Sequence, residues 1–206
     1  MFDCSHTIIG GFLQNFSNPG NGLPGIEYKL KQLSQKSDLF IEVNYYQWLI
    51  EAKDYAQRCF KFGINRYKNY LCKFHFVGYS FGGQTVSDIC WAMYALQVPI
   101  QKVCLIDPVR RNSRYPWGYW KALHRNATFK LPPNIEEVIV IRQESDTLIR
   151  GHRVIPANNT KFQDHLIDVP HQVIDNSPLV RSLIYKQALE LHNSPILRLE
   201  NGNNSS

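Results

Sequence analysis

The sequence predicts an α/β domain, a mostly parallel central sheet of about six strands with helices on both faces. Three observations predict it. Short apolar runs alternate with longer segments of helical period, the pattern left by β-α crossovers. The length of 206 residues suits one domain with a full core. One apolar run leads through a glycine-flanked serine directly into a helical segment, Phe74 to Leu96.

The elements follow in order. His6–Gly11 reads as a short strand ending in two glycines. A loop rich in Asn, Pro and Gly runs from Gln14 to Pro24, and Ile26, Leu30 and Leu33 mark a helix. Leu39–Val43 is the second strand, and Trp48 to Tyr67 carries helical period through Leu49, Ala52, Ala56 and Phe60. Lys73–Val77 is the third strand. The helix after it places Val86, Ile89, Cys90, Met93 and Leu96 on one face. Lys102–Ile106 is a strand that ends at Asp107-Pro108.

Periodicity breaks between residues 110 and 133, where Tyr115, Trp117, Tyr119 and Trp120 crowd together. Glu137–Ile141 is then a strand, Gln143 to Asp146 a polar turn, and Phe162–Val169 the last strand. Ser177–His192 closes the domain as a helix with Leu179, Leu183, Ile184 and Leu191 on one face. One domain is expected over 1–199, with a polar tail over 200–206.

Charge and cysteine use narrow the function classes. The net charge of +6 is scattered, and no nucleic-acid signature accompanies it, so no nucleic-acid partner is expected. Five cysteines at odd count lack any C-x-x-C spacing, which favours a reducing, cytoplasmic setting over a disulfide framework. No signal peptide, membrane span, metal-ligand spacing or cofactor loop is visible, and neither a cofactor nor a metal is expected.

The chemistry centres on Gly78-Tyr79-Ser80-Phe81-Gly82, a G-x-S-x-G pattern. Alone it is weak, since chance produces it about once in fifteen chains of this length. Its setting between strand and helix is what matters. A sharp strand-to-helix turn lifts a serine hydroxyl clear of the backbone, and flanking side chains larger than glycine would collide with the neighbouring elements. Ser80 is the candidate nucleophile. His171, between the last strand and the last helix, is the candidate base, because imidazole titrates near neutral pH. His165 and His75 fall within strands and suit structural roles. Asp146, in the turn after the fifth strand, and Asp107, at the end of the fourth, both qualify as the acid that orients the imidazole.

The strand–turn–helix around Ser80 and the chain order Ser, Asp, His resemble the α/β-hydrolase superfamily over nearly the whole chain. The two antiparallel strands that commonly open that fold are missing. The resemblance implies a compact hydrolase with a minimal lid over 110–133. It implies an oxyanion hole from the Phe81 and Phe12 amides, because Ile9-Gly10-Gly11-Phe12 is similar to the family's His-Gly-x turn with Gly10 in place of histidine. Asp146 matches the acid position of small esterases and is the preferred acid. Asp107 matches the position used in some lipases and many acyl-carrier thioesterases. Tyr79, Trp117 and Trp120 are candidate substrate contacts, and the aromatic segment could also meet a lipid surface. An acyl ester is the expected substrate and an acyl thioester the alternative. A hydrolase fold kept only as a binding module is the competing class, and a basic nucleic-acid binder rests on charge alone.

Overall fold

The computed structural model of the chain describes residues 3–11, 22–39, 41–65, 70–110, 127–144, 151–195 and 197–198. Its strands are β1 (Cys4–Ile9), β2 (Ile41–Tyr46), β3 (Ile64–Asn65), β4 (Tyr70–Leu71), β5 (Lys73–Tyr79) and β6 (Ile100–Ile106). They continue with β7 (Thr128–Lys130), β8 (Ile135–Gln143), β9 (Arg153–Ile155), β10 (Lys161–Ile167) and β11 (Leu197–Arg198). The helices are α1 (Gly22–Ser34), α2 (Ala52–Gly63), α3 (Phe81–Ala95) and α4 (Pro178–Asn193), with a 3-10 helix at His171–Asn176.

Six strands form the main sheet in the order β10-β8-β6-β5-β1-β2, and every pairing in it is parallel. The chain steps from β1 out to β2, returns to lay β5 on the other side of β1, and then proceeds outward to β10. The direction therefore reverses between β1 and β5. In an open α/β sheet the crevice at the C-terminal ends of such strands is where ligands bind. Right-handed crossovers put helices on opposite faces when the direction reverses. Accordingly α1 and α4 cover one face, through Leu23, Ile26, Leu30, Val180 and Ile184. Helices α2 and α3 cover the other, through Tyr55, Ala56, Val86, Ile89 and Met93.

Burial on both faces explains why the central strands read as continuous apolar runs. Every residue of β5 is buried, with Phe74 and Phe76 toward α2 and α3 and Val77 and Tyr79 toward α1 and α4. All five cysteines are free and buried, and burial pushes their thiols up, Cys4 to about 11 and Cys104 to about 12. They serve as small hydrophobes. Among the described residues no helix is long and apolar enough to cross a membrane.

Two expectations need correction. The helix expected over Trp48 to Tyr67 spans Ala52–Gly63, because Trp48, Leu49 and Ile50 form a turn whose indole packs on Phe81 and because Ile64–Asn65 leaves the helix to pair with Tyr70–Leu71 as a short strand. The irregular region expected through residue 133 ends earlier. Thr128–Lys130 pairs in parallel with Arg153–Ile155, and Phe129, Leu131 and Val154 join the core under α3. These three-residue strands are too short to show a period of two.

On the α4 side, opposite the crevice end of the sheet, a chain of imidazoles is buried. His6 Nδ1 lies 3.0 Å from His75 Nδ1, and His6 Nε2 lies 2.8 Å from His192 Nε2. Each contact needs one N–H donor and one bare nitrogen, so two touching rings cannot both be protonated at the facing nitrogens. Burial lowers His6 well below the ordinary histidine value and drives His75 down to about 3. Nearby, the Lys73 ammonium donates to the carbonyls of Leu191 and Ser194 at 2.6 and 2.9 Å, closing the C-terminal end of α4.

The buried histidines make stability depend on pH in a definite direction. The unfolded chain takes up their protons near pH 6.5, whereas the folded chain resists until far lower pH. Their contribution is complete above pH 6.5 and is lost as pH falls below it. A drop to about pH 5 should cost on the order of 2 kcal/mol per fully buried imidazole. Urea unfolding at about pH 5 and pH 7.5 checks this, and an unchanged midpoint would contradict the neutral-imidazole chain.

Candidate functional site

Ser80 sits where β5 ends and α3 begins, with φ 54° and ψ −121°. A non-glycine residue at positive φ carries strain, so its neighbours must hold it there. They do so through the main chain. The Ser80 N–H donates to Ile106 O at 3.0 Å, and the Ser80 carbonyl accepts from the amides of Gly83 and Val109 at 3.0 and 2.9 Å. The turn also needs its glycines. A Cβ on Gly82 would press into the carbonyl oxygens of Ile9 and Gly10, and one on Gly78 would meet Val86 at 2.8 Å.

The loop after β1 runs directly beside this turn. A Cβ on Gly11 would lie 2.8 Å from the Ser80 Cβ, so only a glycine lets the chain pass so close. Phe81 stands first in α3, where backbone amides point out of the helix toward its positive end. Phe12, Asp146, Trp117 and Trp120 lie outside the described residues.

His171 opens the 3-10 helix that follows β10. Its Nε2 lies 3.0 Å from Ser80 Oγ, and its Nδ1 lies 2.5 Å from Asp107 Oδ2. With Nδ1–H donated to the carboxylate, the bare Nε2 faces the serine hydroxyl, the tautomer a general base requires. The structure thus brings Ser80, His171 and Asp107 together. Asp107 has 0% exposure, against 7% for both Ser80 and His171. It too adopts a positive φ, 42°. Its second oxygen, Oδ1, accepts from the amides of Gly151 and Gln143 at 2.7 and 3.0 Å. His165 lies within β10 opposite Ile141, and His75 lies in the imidazole chain described above.

Tyr79, expected among the substrate contacts, is buried at 6% exposure and turned toward the histidine. Its hydroxyl donates to the His171 carbonyl at 2.5 Å, and its ring stacks on the imidazole with centroids 5.2 Å apart. Burial pushes its phenol up, which keeps it a neutral donor.

Several supports escaped sequence reasoning. The His171 amide donates to Gln143 Oε1 at 3.0 Å. Asp175 and Asn176 accept from the first amides of α1, with Leu23 N at 3.2 Å and Gly22 N at 2.6 Å, so the histidine segment caps a helix distant in sequence. Trp48, Phe81 and Val109 form a small apolar cluster beside Ser80. Only the polar character of Gln143 at a strand end gave any local sign of these roles.

A serine on a strained strand-to-helix turn, at the switch point of a parallel sheet, facing a histidine that follows the last strand, defines the architecture. The chain has the α/β-hydrolase fold. No family model matches it, and no curated protein matches it. Among solved structures it is similar to the NocB thioesterase domain from the nocardicin cluster, at 12% identity and a TM-score of 0.45 over 91% of this chain and 94% of that one. It is also similar to mouse alpha/beta hydrolase domain-containing protein 10, at 11% identity and a TM-score of 0.43 over 91% and 90% of the two chains. The sheet order and the serine turn define the fold.

The close approach of α3 to β1 gives a stability test. Gly82→Ala should destabilise the protein by about 1–3 kcal/mol, as for overpacking, because the obstacle is backbone. Chemical denaturation measures it, and a substitution that costs nothing would mean the turn is looser than described.

Proposed function

We propose that this chain is a serine hydrolase that cleaves a carboxylic ester through an acyl-enzyme on Ser80. The observation that carries the proposal is the unbroken line from Ser80 Oγ to His171 Nε2 and from His171 Nδ1 to Asp107. In this reading Ser80 Oγ attacks the acyl carbon while His171 Nε2 takes its proton. The carbonyl oxygen becomes an oxyanion, held by the Phe81 amide and by a second amide from the loop after Gly11, Phe12 being the candidate. The tetrahedral intermediate collapses as His171 returns the proton to the leaving alcohol. Water then attacks the acyl-enzyme with His171 again as base, and the carboxylic acid leaves.

Asp107 is the acid in this mechanism. It keeps the imidazole in the required tautomer and stabilises the imidazolium, and it is buried enough for that charge to matter. The apolar cluster of Trp48, Phe81 and Val109 beside Ser80 supports an acyl group with apolar character. A second reading, an acyl thioesterase with the same nucleophile, is favoured by one feature. The acid contacting His171 follows β6, the position that resembles many acyl-carrier thioesterases and some lipases, while the small-esterase position is the turn after β8.

A fluorophosphonate probe should label the wild type and fail to label Ser80→Ala. Asp107→Asn should lower kcat on p-nitrophenyl esters by about 10⁴-fold, and Asp146→Asn should leave it within a few-fold. A folded wild type that takes no label would support the non-catalytic binding module instead. Parallel kcat/KM measurements on an ester and a thioester of the same acyl chain decide between the two substrate classes.

A further inference from the structure

We infer that Gln143 is a positioning residue that fixes the separation of Asp107 and His171, tying the main chain of the base to the strand end that holds its carboxylate. The inference rests on the proposed serine-hydrolase reading for its kinetic consequences but not for its geometry.

Gln143 is the last residue of β8 and is buried at 4% exposure. Its main-chain N–H donates to Asp107 Oδ1 at 3.0 Å, and its side-chain Oε1 accepts from the His171 N–H at 3.0 Å. With the contact between His171 Nδ1 and Asp107 Oδ2, these bonds close a ring. The ring runs from the carboxylate through the imidazole to the histidine main chain, and back through the glutamine to the carboxylate. Three separate elements meet in it: the end of β6, the end of β8 and the segment after β10.

This closure matters because of where His171 lies. Its neighbours Pro170, Gln172 and Val173 are exposed, so the segment has little packing on its outer side. Among the described residues, the backbone link between the ends of β8 and β10 that lies farthest along both is the Glu144 amide to Ile167 O at 2.9 Å. Past that rung Asp168, Val169 and Pro170 lead from β10 to His171. The glutamine side chain spans the remaining gap. A neutral amide also accepts the N–H without adding a second negative charge beside Asp107, which leaves that carboxylate the nearest anion to the imidazole in the ring.

The experiment compares wild type, Gln143→Met, Gln143→Glu and Asp107→Asn. Methionine keeps the length and removes the acceptor, while glutamate keeps an acceptor and adds charge. In the substrate-free protein, the far-downfield Nδ1–H proton resonance of His171 reads the contact with Asp107 directly. It should be present in wild type, lost in Asp107→Asn, weakened in Gln143→Met and retained in Gln143→Glu. In turnover, Gln143→Met should lower kcat on a p-nitrophenyl ester by ~10²-fold with KM nearly unchanged, the effect of a misplaced catalytic group. Gln143→Glu should lose less and shift the acid limb of the pH–rate profile to higher pH, because a second carboxylate favours imidazolium. If Gln143→Met matches wild type in resonance and kcat, and Gln143→Glu leaves the acid limb unmoved, the positioning role is overturned while the hydrolase reading stands. If the resonance responds as expected but no variant, wild type included, shows turnover or probe labelling, the positioning role stands and the hydrolase reading falls.

Discussion

The buried carboxylate of Asp107 is the group around which the site is organised. An ionised carboxylate without solvent costs several kcal/mol unless donors surround it. Here the donors are the Gly151 amide, the Gln143 amide and the His171 imidazole, each from a different part of the chain. Satisfying one anion therefore forces the ends of β6 and β8, the chain around Gly151 and the segment after β10 to meet at one point. Ser80 joins them because β5 lies beside β6 in the sheet.

The same ends are braced sideways across the sheet. Ser80 and Asp107 both hold left-handed backbone, a cost of about 1–3 kcal/mol each. Each is tied to the next strand over, Ser80 N to Ile106 O at 3.0 Å and Asp107 N to Ile141 O at 2.6 Å. The strained residues thus sit on adjacent parallel strands, where rigid neighbours hold them. Tyr79 extends the bracing to His171 from beneath, since its backbone belongs to β5 and its hydroxyl to the histidine's carbonyl.

The sheet and its helices were legible in the sequence, as were the junctions that hold Ser80 and His171. Central strands buried on both faces leave continuous apolar runs, and Ser80 and His171 occupy junctions that such runs mark. β5 and β8 each run two residues past the apolar runs that mark them, because pairing carries on through Gly78 and Tyr79 to Leu105 and Ile106 and through Arg142 and Gln143 to Leu166 and Ile167. The Trp48 turn mimicked a helix because its run of apolar residues matches a helical period, whereas in the fold Trp48 packs on the start of α3 and Leu49 is exposed. The pairing of β7 with β9 joins residues more than twenty apart in sequence and leaves no local period.

The sequence by itself determined which residue types stand at the strand ends: a serine between glycines, a histidine after the last strand, and an aspartate after each of two strands. Periodicity and turn chemistry are local, so neighbours along the chain suffice to read them. Only the tertiary structure decided that Asp107 meets His171 and that Gln143 contacts both. Those contacts depend on which strands lie side by side and on where the histidine segment is pinned. The six-strand order and the hydrogen-bonding demand of one buried carboxylate settle both matters, and neither is a property of any single stretch of chain.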